Sequence, residues 1–271
     1  MKRFVVSLII IAISFYLIYL FKIYSVENEE IWGREVNFSE NQNYSIPKNL
    51  DQLPFKLIPV FAEDLKKSIF NYSIKDEIPL RYFENEYSLI NTKIIRLETI
   101  NNRYSYFILN NTNQIDKEKH GAYLFNTDGE LICIIEFDRE AFLSISPDEK
   151  YICILLLPIT DKFPEAGKST ITVFTFPGFN FIRGDLDCTP VSDINILWAD
   201  DKFYFVSWNM LKELDLLNKT TRAIYAVGKL SDIYLQGIKK NKLIMRIEYN
   251  ENLHGFGTTK EIKSKTVKIK I

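Results

Sequence analysis

Two pairs of neighbouring carboxylates have the most direct claim to chemistry in this chain. Asp185 and Asp187 sit two apart, and Asp200 and Asp201 are adjacent. Two carboxyl groups held a few ångströms apart can share general-acid and general-base or nucleophile roles on a glycosidic bond. The same residues are also ordinary in tight turns, where a short acidic side chain bonds nearby backbone N–H groups. Other reactive types are sparse. His120 and His254 lie in polar stretches without metal-ligand spacing, and Cys133, Cys153 and Cys188 form no CxxC pair. A zinc site of the usual kind needs three or four such ligands. No Gly-x-Ser-x-Gly elbow occurs. Gly255-Phe256-Gly257-Thr258-Thr259 precedes a strand-like run rather than a helix, so its backbone does not form a phosphate cradle. These patterns predict no catalytic residue, no metal site and no cofactor.

The aromatics supply a different kind of candidate. Phe174 and Phe176 fall on one face of a strand-like run, with Phe179 and Phe181 just past a turn. Their simplest role is packing inside the fold. Their sharper role is a partner-binding patch, because aromatic side chains dominate binding hot spots. The cysteines favour burial: Cys133 and Cys153 sit inside apolar runs, where a free thiol behaves as a small hydrophobe. An oxidising compartment would permit one disulfide, and spacing does not choose the pair.

The elements that position these residues follow from periodicity. From about residue 93, aromatic and β-branched runs alternate with period two between turn residues, at 93–99, 104–110, 122–126, 130–137, 151–157, 170–176, 203–208, 222–227, 242–249 and 266–271. Asn126-Thr127-Asp128-Gly129 is a strong hairpin signal and Asn218-Lys219-Thr220-Thr221 a weaker one. A faint repeat runs through this region: an apolar strand meets an acidic or polar turn, and a basic residue then opens an aromatic strand. The basic positions Arg103, Lys150, Lys202 and Lys242 recur at 47, 52 and 40 residues. Blades of a β-propeller repeat at about 40–50 residues. Within this repeat, Ser146-Pro147-Asp148-Glu149-Lys150-Tyr151 resembles the Ser-Pro-Asp-Gly turn between inner strands of WD-repeat-like bacterial propellers, with Glu149 in place of the usual glycine. The resemblance implies an all-β, propeller-like stack of about four antiparallel blades over residues 93–271. A two-sheet sandwich is the competing architecture.

Ahead of this domain, Phe4 to Phe21 form an apolar run, with Ser7 and Ser14 as its only small polar side chains, after Lys2 and Arg3. At helical rise it is about 27 Å long, close to the hydrocarbon thickness of a bilayer. Residues 4–24 are therefore expected to span a membrane as a single helix. The basic flank places the N-terminus in the cytoplasm and the remainder outside, with a cleaved signal peptide as the alternative. Residues 25–58 are polar and rich in Asn and Glu, which predicts a juxtamembrane linker with little regular structure. Residues 59–92 are expected to hold a short amphipathic helix, from Phe61, Leu65 and Ile69 on one face, and leading strands. Net charge is −1 with both signs scattered, which gives no footprint for nucleic acid. The bias towards Ile, Lys and Asn suits an AT-rich bacterial genome, hence an inner membrane with a periplasmic domain. The pattern predicts a signal-anchored, protein-binding or scaffolding module. An envelope-tethered inhibitor or immunity protein is the first alternative, and a carboxylate-based glycoside hydrolase the second.

Overall fold

The computed structural model describes residues 13–17, 19–20, 24–25, 28–39, 53, 55–59, 92–100, 102–111, 119–127, 131–137, 141–157, 169–188, 195–249 and 262–271. The chain divides into two compact units, Met1–Asn41 with Asp193–Ile271, and Gln42–Ser192. Strands dominate the described residues, and every pairing between them is antiparallel. The all-β expectation is met.

The second unit holds two blade-like sheets. In one, β3 (Thr92–Ile100), β4 (Tyr104–Asn111), β5 (Lys119–Asn126) and β6 (Leu131–Phe137) follow in chain order, and β2 (Lys56–Pro59) adds at the β6 edge. In the other, β7 (Ala141–Ile145), β8 (Tyr151–Leu156), β9 (Ser169–Thr175) and β10 (Phe181–Cys188) again follow in order. Their facing sides share a core in which Leu124 and Ile135 of the first sheet, with Phe55 just ahead of β2, meet Ile145, Ile152 and Phe174 of the second. Burying each such side chain contributes about 1.5–3 kcal/mol. Strand β8 is buried along its whole length, as suits an apolar run without alternation.

The first unit repeats the plan. Strands β11 (Ile196–Ala199), β12 (Lys202–Ser207), β13 (Met210–Asp215) and β14 (Thr220–Ala226) run in order, with β1 (Arg34–Ser39) added beside β14. A three-stranded sheet follows from β15 (Ser231–Ile238), β16 (Lys242–Tyr249) and β17 (Lys263–Lys270). Tyr204, Val206, Leu211 and Tyr225 pack against Ile233, Leu243, Met245 and Ile247. Buried Asn195 ties the two sheets together: its amide nitrogen donates to the Ile233 carbonyl, and its oxygen accepts from the Leu235 N–H at 2.6 Å.

The four basic repeat positions each lie in, or just beyond, the hairpin joining the first two strands of their sheet. A left-handed residue sits one or two places before each: Asn102 (φ 55°), Glu149 (φ 59°), Asp200 (φ 47°) and Asn241 (φ 54°). The 40–52-residue spacing is thus a structural repeat. The polar stretch 25–58 differs from expectation. It contains helical residues 28–32 and contributes β1 and β2 as edge strands. An edge strand needs only one neighbour, so it does not require the apolar alternation by which inner strands are recognised. The amphipathic helix expected over 59–70 lies, apart from Pro59 at the end of β2, outside the described residues. Of the apolar segment 4–24, residues 13–17, 19–20 and 24 are described, and they are helical. Among the described residues no helix is long and apolar enough to cross a membrane.

Candidate functional site

The equivalent first hairpins come together within each unit, and the two units fill the space between them differently. In the second unit, the turn Ser146–Tyr151 is built from its own side chains. The Glu149 N–H donates to the Ser146 carbonyl at 2.9 Å, and the Ser146 hydroxyl accepts from the Tyr151 N–H at 3.0 Å while donating to Asp148 at 2.6 Å. Burial alone would raise the Asp148 carboxyl, but hydrogen bonds from Ser146 and Lys150 outweigh it and hold its pKa below the usual range. Glu149 reaches across to the neighbouring hairpin, where it accepts from Arg103 at 2.7 Å and from the Tyr104 hydroxyl at 3.0 Å. Burial, followed by that bond to Glu149, pushes the Tyr104 hydroxyl up. Edge-on packing of Tyr104 against Phe176, and of Phe176 against Phe179, closes this end.

The aromatic patch expected at Phe174, Phe176, Phe179 and Phe181 is therefore corrected. The first three are buried, and Phe181 is partly buried against the same core. Phe174 meets Phe55 and Phe181 edge-to-face, with centroids 6.2 and 6.0 Å apart. These rings hold the two sheets of the second unit together.

In the first unit the corresponding space is open. The β11–β12 hairpin, the β15–β16 hairpin and the end of β17 surround a cavity of about 340 Å³ lined by Asp200, Asp201, Lys202, Tyr204, Ile238 and Asn241, with Ala199 and Ile271. One predicted carboxylate pair, Asp200 and Asp201, thus lies at a cavity. Of the other pair, Asp187 lies half-buried on β10, and Asp185 is on the same strand with its side chain outside the described residues. His120 is on β5, likewise without a described side chain, and His254 lies outside the described residues.

Behind this cavity lies a charged cluster that sequence reasoning missed. Glu213 is buried on β13, and its carboxylate accepts from Lys202 at 3.2 Å, from the Tyr204 hydroxyl at 3.0 Å and from Arg222 at 2.8 and 2.9 Å. The register explains the grouping: Tyr204 pairs with Glu213, and Glu213 with Arg222, so all three share one face. Burial, then the Glu213 charge, pushes the Tyr204 hydroxyl up. A buried carboxylate needs this number of donors. The available signal was Glu213 itself, a charged residue between the apolar pair Met210-Leu211 and Leu214.

The three cysteines are buried and form no disulfide. Burial pushes the Cys188 thiol up to about 12 and holds Cys133 and Cys153 well above the ordinary thiol range, which leaves them poor nucleophiles. Among the described residues no group of three His, Cys, Asp or Glu side chains could hold a metal ion.

No protein-family model matches the chain, and no curated protein does. Four chains of solved structure match. One is the β-propeller domain of the Trilobed protease from Pyrococcus furiosus, described as having an open velcro topology. It is 15% identical with a TM-score of 0.45 over 66% of this chain, which spans 57% of that chain.

Proposed function

We propose that this protein is a membrane-anchored, extracytoplasmic β-module with propeller-like blades that binds or scaffolds a protein partner and carries out no catalysis of its own. The observation that supports it most is the described part of segment 4–24. Ile13, Phe15, Tyr16, Leu17, Tyr19, Leu20 and Tyr24 are all exposed on helical backbone. At about 100° per residue these side chains cover a little more than half of the helix circumference, with exposed Ser14 on the remaining side. An exposed apolar face wider than the roughly 100° stripe of a helix packed on one side suits lipid rather than water. With Lys2 and Arg3 ahead of it, the segment is read as a signal anchor of an inner membrane. The WD-repeat-like kinship rests on the Ser146–Tyr151 turn.

The partner is assigned to the cavity end of the first unit. There, Leu217 is 67% exposed, next to Leu216, whose N–H donates to the Asp201 carbonyl at 2.9 Å. A photo-crosslinking residue at Leu217, in the full-length chain in its own membrane, should give one adduct of fixed mass. That adduct should weaken on Asp201→Ala and be absent when the crosslinker replaces Phe38 on edge strand β1. Equal labelling from both positions would refute partner binding at this end. A tethered inhibitor would give an adduct whose partner is a toxin or hydrolase. The glycoside-hydrolase alternative draws on Asp200 and Asp201 at the cavity. It requires hydrolysis of a glycan that Asp201→Asn abolishes.

A further inference from the structure

The joint between the apolar helical segment and the first unit is built tightly. Helical residues 28–32 end at Gly33, whose N–H donates to the Glu29 carbonyl at 2.9 Å. Trp32 packs against the core of the first unit, under Lys265 at 5.7 Å from the ring. The Trp32 carbonyl accepts from Tyr225 at 2.9 Å, and the Ile31 carbonyl from Ser231 at 2.7 Å. A Cβ on Gly33 would collide with the Ala226 carbonyl, and one on Gly228 with the Glu30 carbonyl. Two glycines therefore let the chain enter flush against the end of β14.

Strand register shows what else lies at this end. Asn209, at the β12–β13 hairpin, exchanges hydrogen bonds with Val227 at 2.6 and 2.9 Å, so its neighbour Trp208 projects beside the joint. Ser231, bonded to Ile31, pairs with Tyr249, which pairs with Lys263, so Ile262 lies here too. Trp208 is 67% exposed and Ile262 56% exposed. Arg34, Lys229, Lys263 and Lys265 are exposed alongside exposed Glu29, Glu30 and Glu35, and Arg34 is bridged to Glu29 at 3.2 Å. Charge therefore gives the end little net sign, and its apolar tips decide what it prefers.

We propose that this end of the first unit rests on the lipid surface, with Trp208 and Ile262 entering the headgroup region as a second point of attachment. The inference builds on the membrane-anchor reading. Only eight residues lie between Tyr24 and Gly33, a reach of about 13 Å if helical and about 30 Å at full extension. An end tethered so closely meets the bilayer surface, where tryptophan is favoured because its ring is amphipathic. The cavity end, one β12 length or about 20 Å away, then faces outward.

The three buried native thiols leave introduced cysteines as the reactive ones. Single variants Leu17→Cys, Trp208→Cys, Ile262→Cys and Leu217→Cys in the full-length chain can each carry an environment-sensitive NBD fluorophore. Each is reconstituted in vesicles of phosphatidylcholine, or of phosphatidylcholine and phosphatidylglycerol in equal parts. Labels at positions 208 and 262 should shift to shorter wavelength and be quenched by headgroup-level nitroxide lipids in both compositions. The label at 217 should resemble one in water. Quenching at 17 with water-like signals at both 208 and 262 would overturn this inference and leave the anchor standing. A water-like label at 17 would remove the anchor, and this inference with it.

Discussion

Replacing Glu149 by alanine and, separately, by glycine should destabilise the second unit by different amounts, with glycine the milder change. Glu149 sits at φ 59°, where a residue with a Cβ carries a strain of about 1–2 kcal/mol. Both substitutions remove the carboxylate that holds Arg103 and Tyr104. The Arg103 pair is exposed and is worth about 0.2–1 kcal/mol; the Tyr104 bond adds about 1 kcal/mol. Glu149→Ala should therefore cost about 1–2 kcal/mol. Glu149→Gly loses the same contacts and relieves the strain, but adds about 0.4–1 kcal/mol of freedom to the unfolded chain. It should be more stable than the alanine variant by about 0.5–1 kcal/mol. At an ordinary negative φ the order would invert, because alanine then restricts the unfolded chain at no cost to the fold. The assay must see the second unit. All three tryptophans, Trp32, Trp198 and Trp208, lie in the first unit, so tryptophan fluorescence would miss the change. Hydrogen exchange at the amides of β7 and β8, across a urea series, reads it directly. Protection in the glycine variant equal to or below that in the alanine variant would refute the strained-hairpin reasoning.

Phe174→Ala should cost about 3–5 kcal/mol and loosen amide protection on β8 and β9, whereas Trp208→Ala should change stability by less than about 0.5 kcal/mol; the reverse order would return the phenylalanine cluster to the surface. Glu213→Gln should destabilise the first unit by about 2–3 kcal/mol, below the usual cost of breaking a buried pair because Lys202 and Arg222 reach solvent, and tryptophan fluorescence in urea measures it; an unchanged midpoint would show that the cluster is not buried. Asp148 is held below its usual range by the Ser146 and Lys150 bonds against burial, and Asp215 first by the Asn218 N–H. The folded chain thus binds fewer protons than the unfolded one, so this contribution is complete above the ordinary carboxylate pKa of about 4 and fades as pH falls through the folded values. Asp148→Asn and Asp215→Asn should flatten the loss of stability on acidification, and an unchanged acid slope in both would contradict the depressed pKa values.

The blade repeat was legible because each first hairpin combines a strand end, a left-handed turn residue and a basic residue within a few positions. Inner strands such as β8, with its run Tyr151–Leu156, were legible from apolar content. Strand β13 was not: Lys212 and Glu213 interrupt its pattern, yet both are buried, Glu213 within its own ion cluster. Strand β10 is broken by Gly184 between Arg183 and Asp185, and its pairing with β9 shifts register twice. The phenylalanine cluster misled for a related reason. Period two distinguishes core from surface only on a strand with one wet face, and from Ile171 to Phe174 strand β9 is buried on both. The Glu213 cluster was illegible as a site because its members come from β12, β13 and β14 and meet only through register.

The central claim, an anchored module with its β-domain outside, is tested most directly by membrane topology. The full-length chain expressed in bacterial cells should stay in the membrane fraction through carbonate washing, and protease added outside the inner membrane should digest residues beyond about 30, leaving a protected fragment that fits one bilayer span. Recovery of a soluble chain beginning near residue 26, or digestion only from the cytoplasmic side, would contradict it.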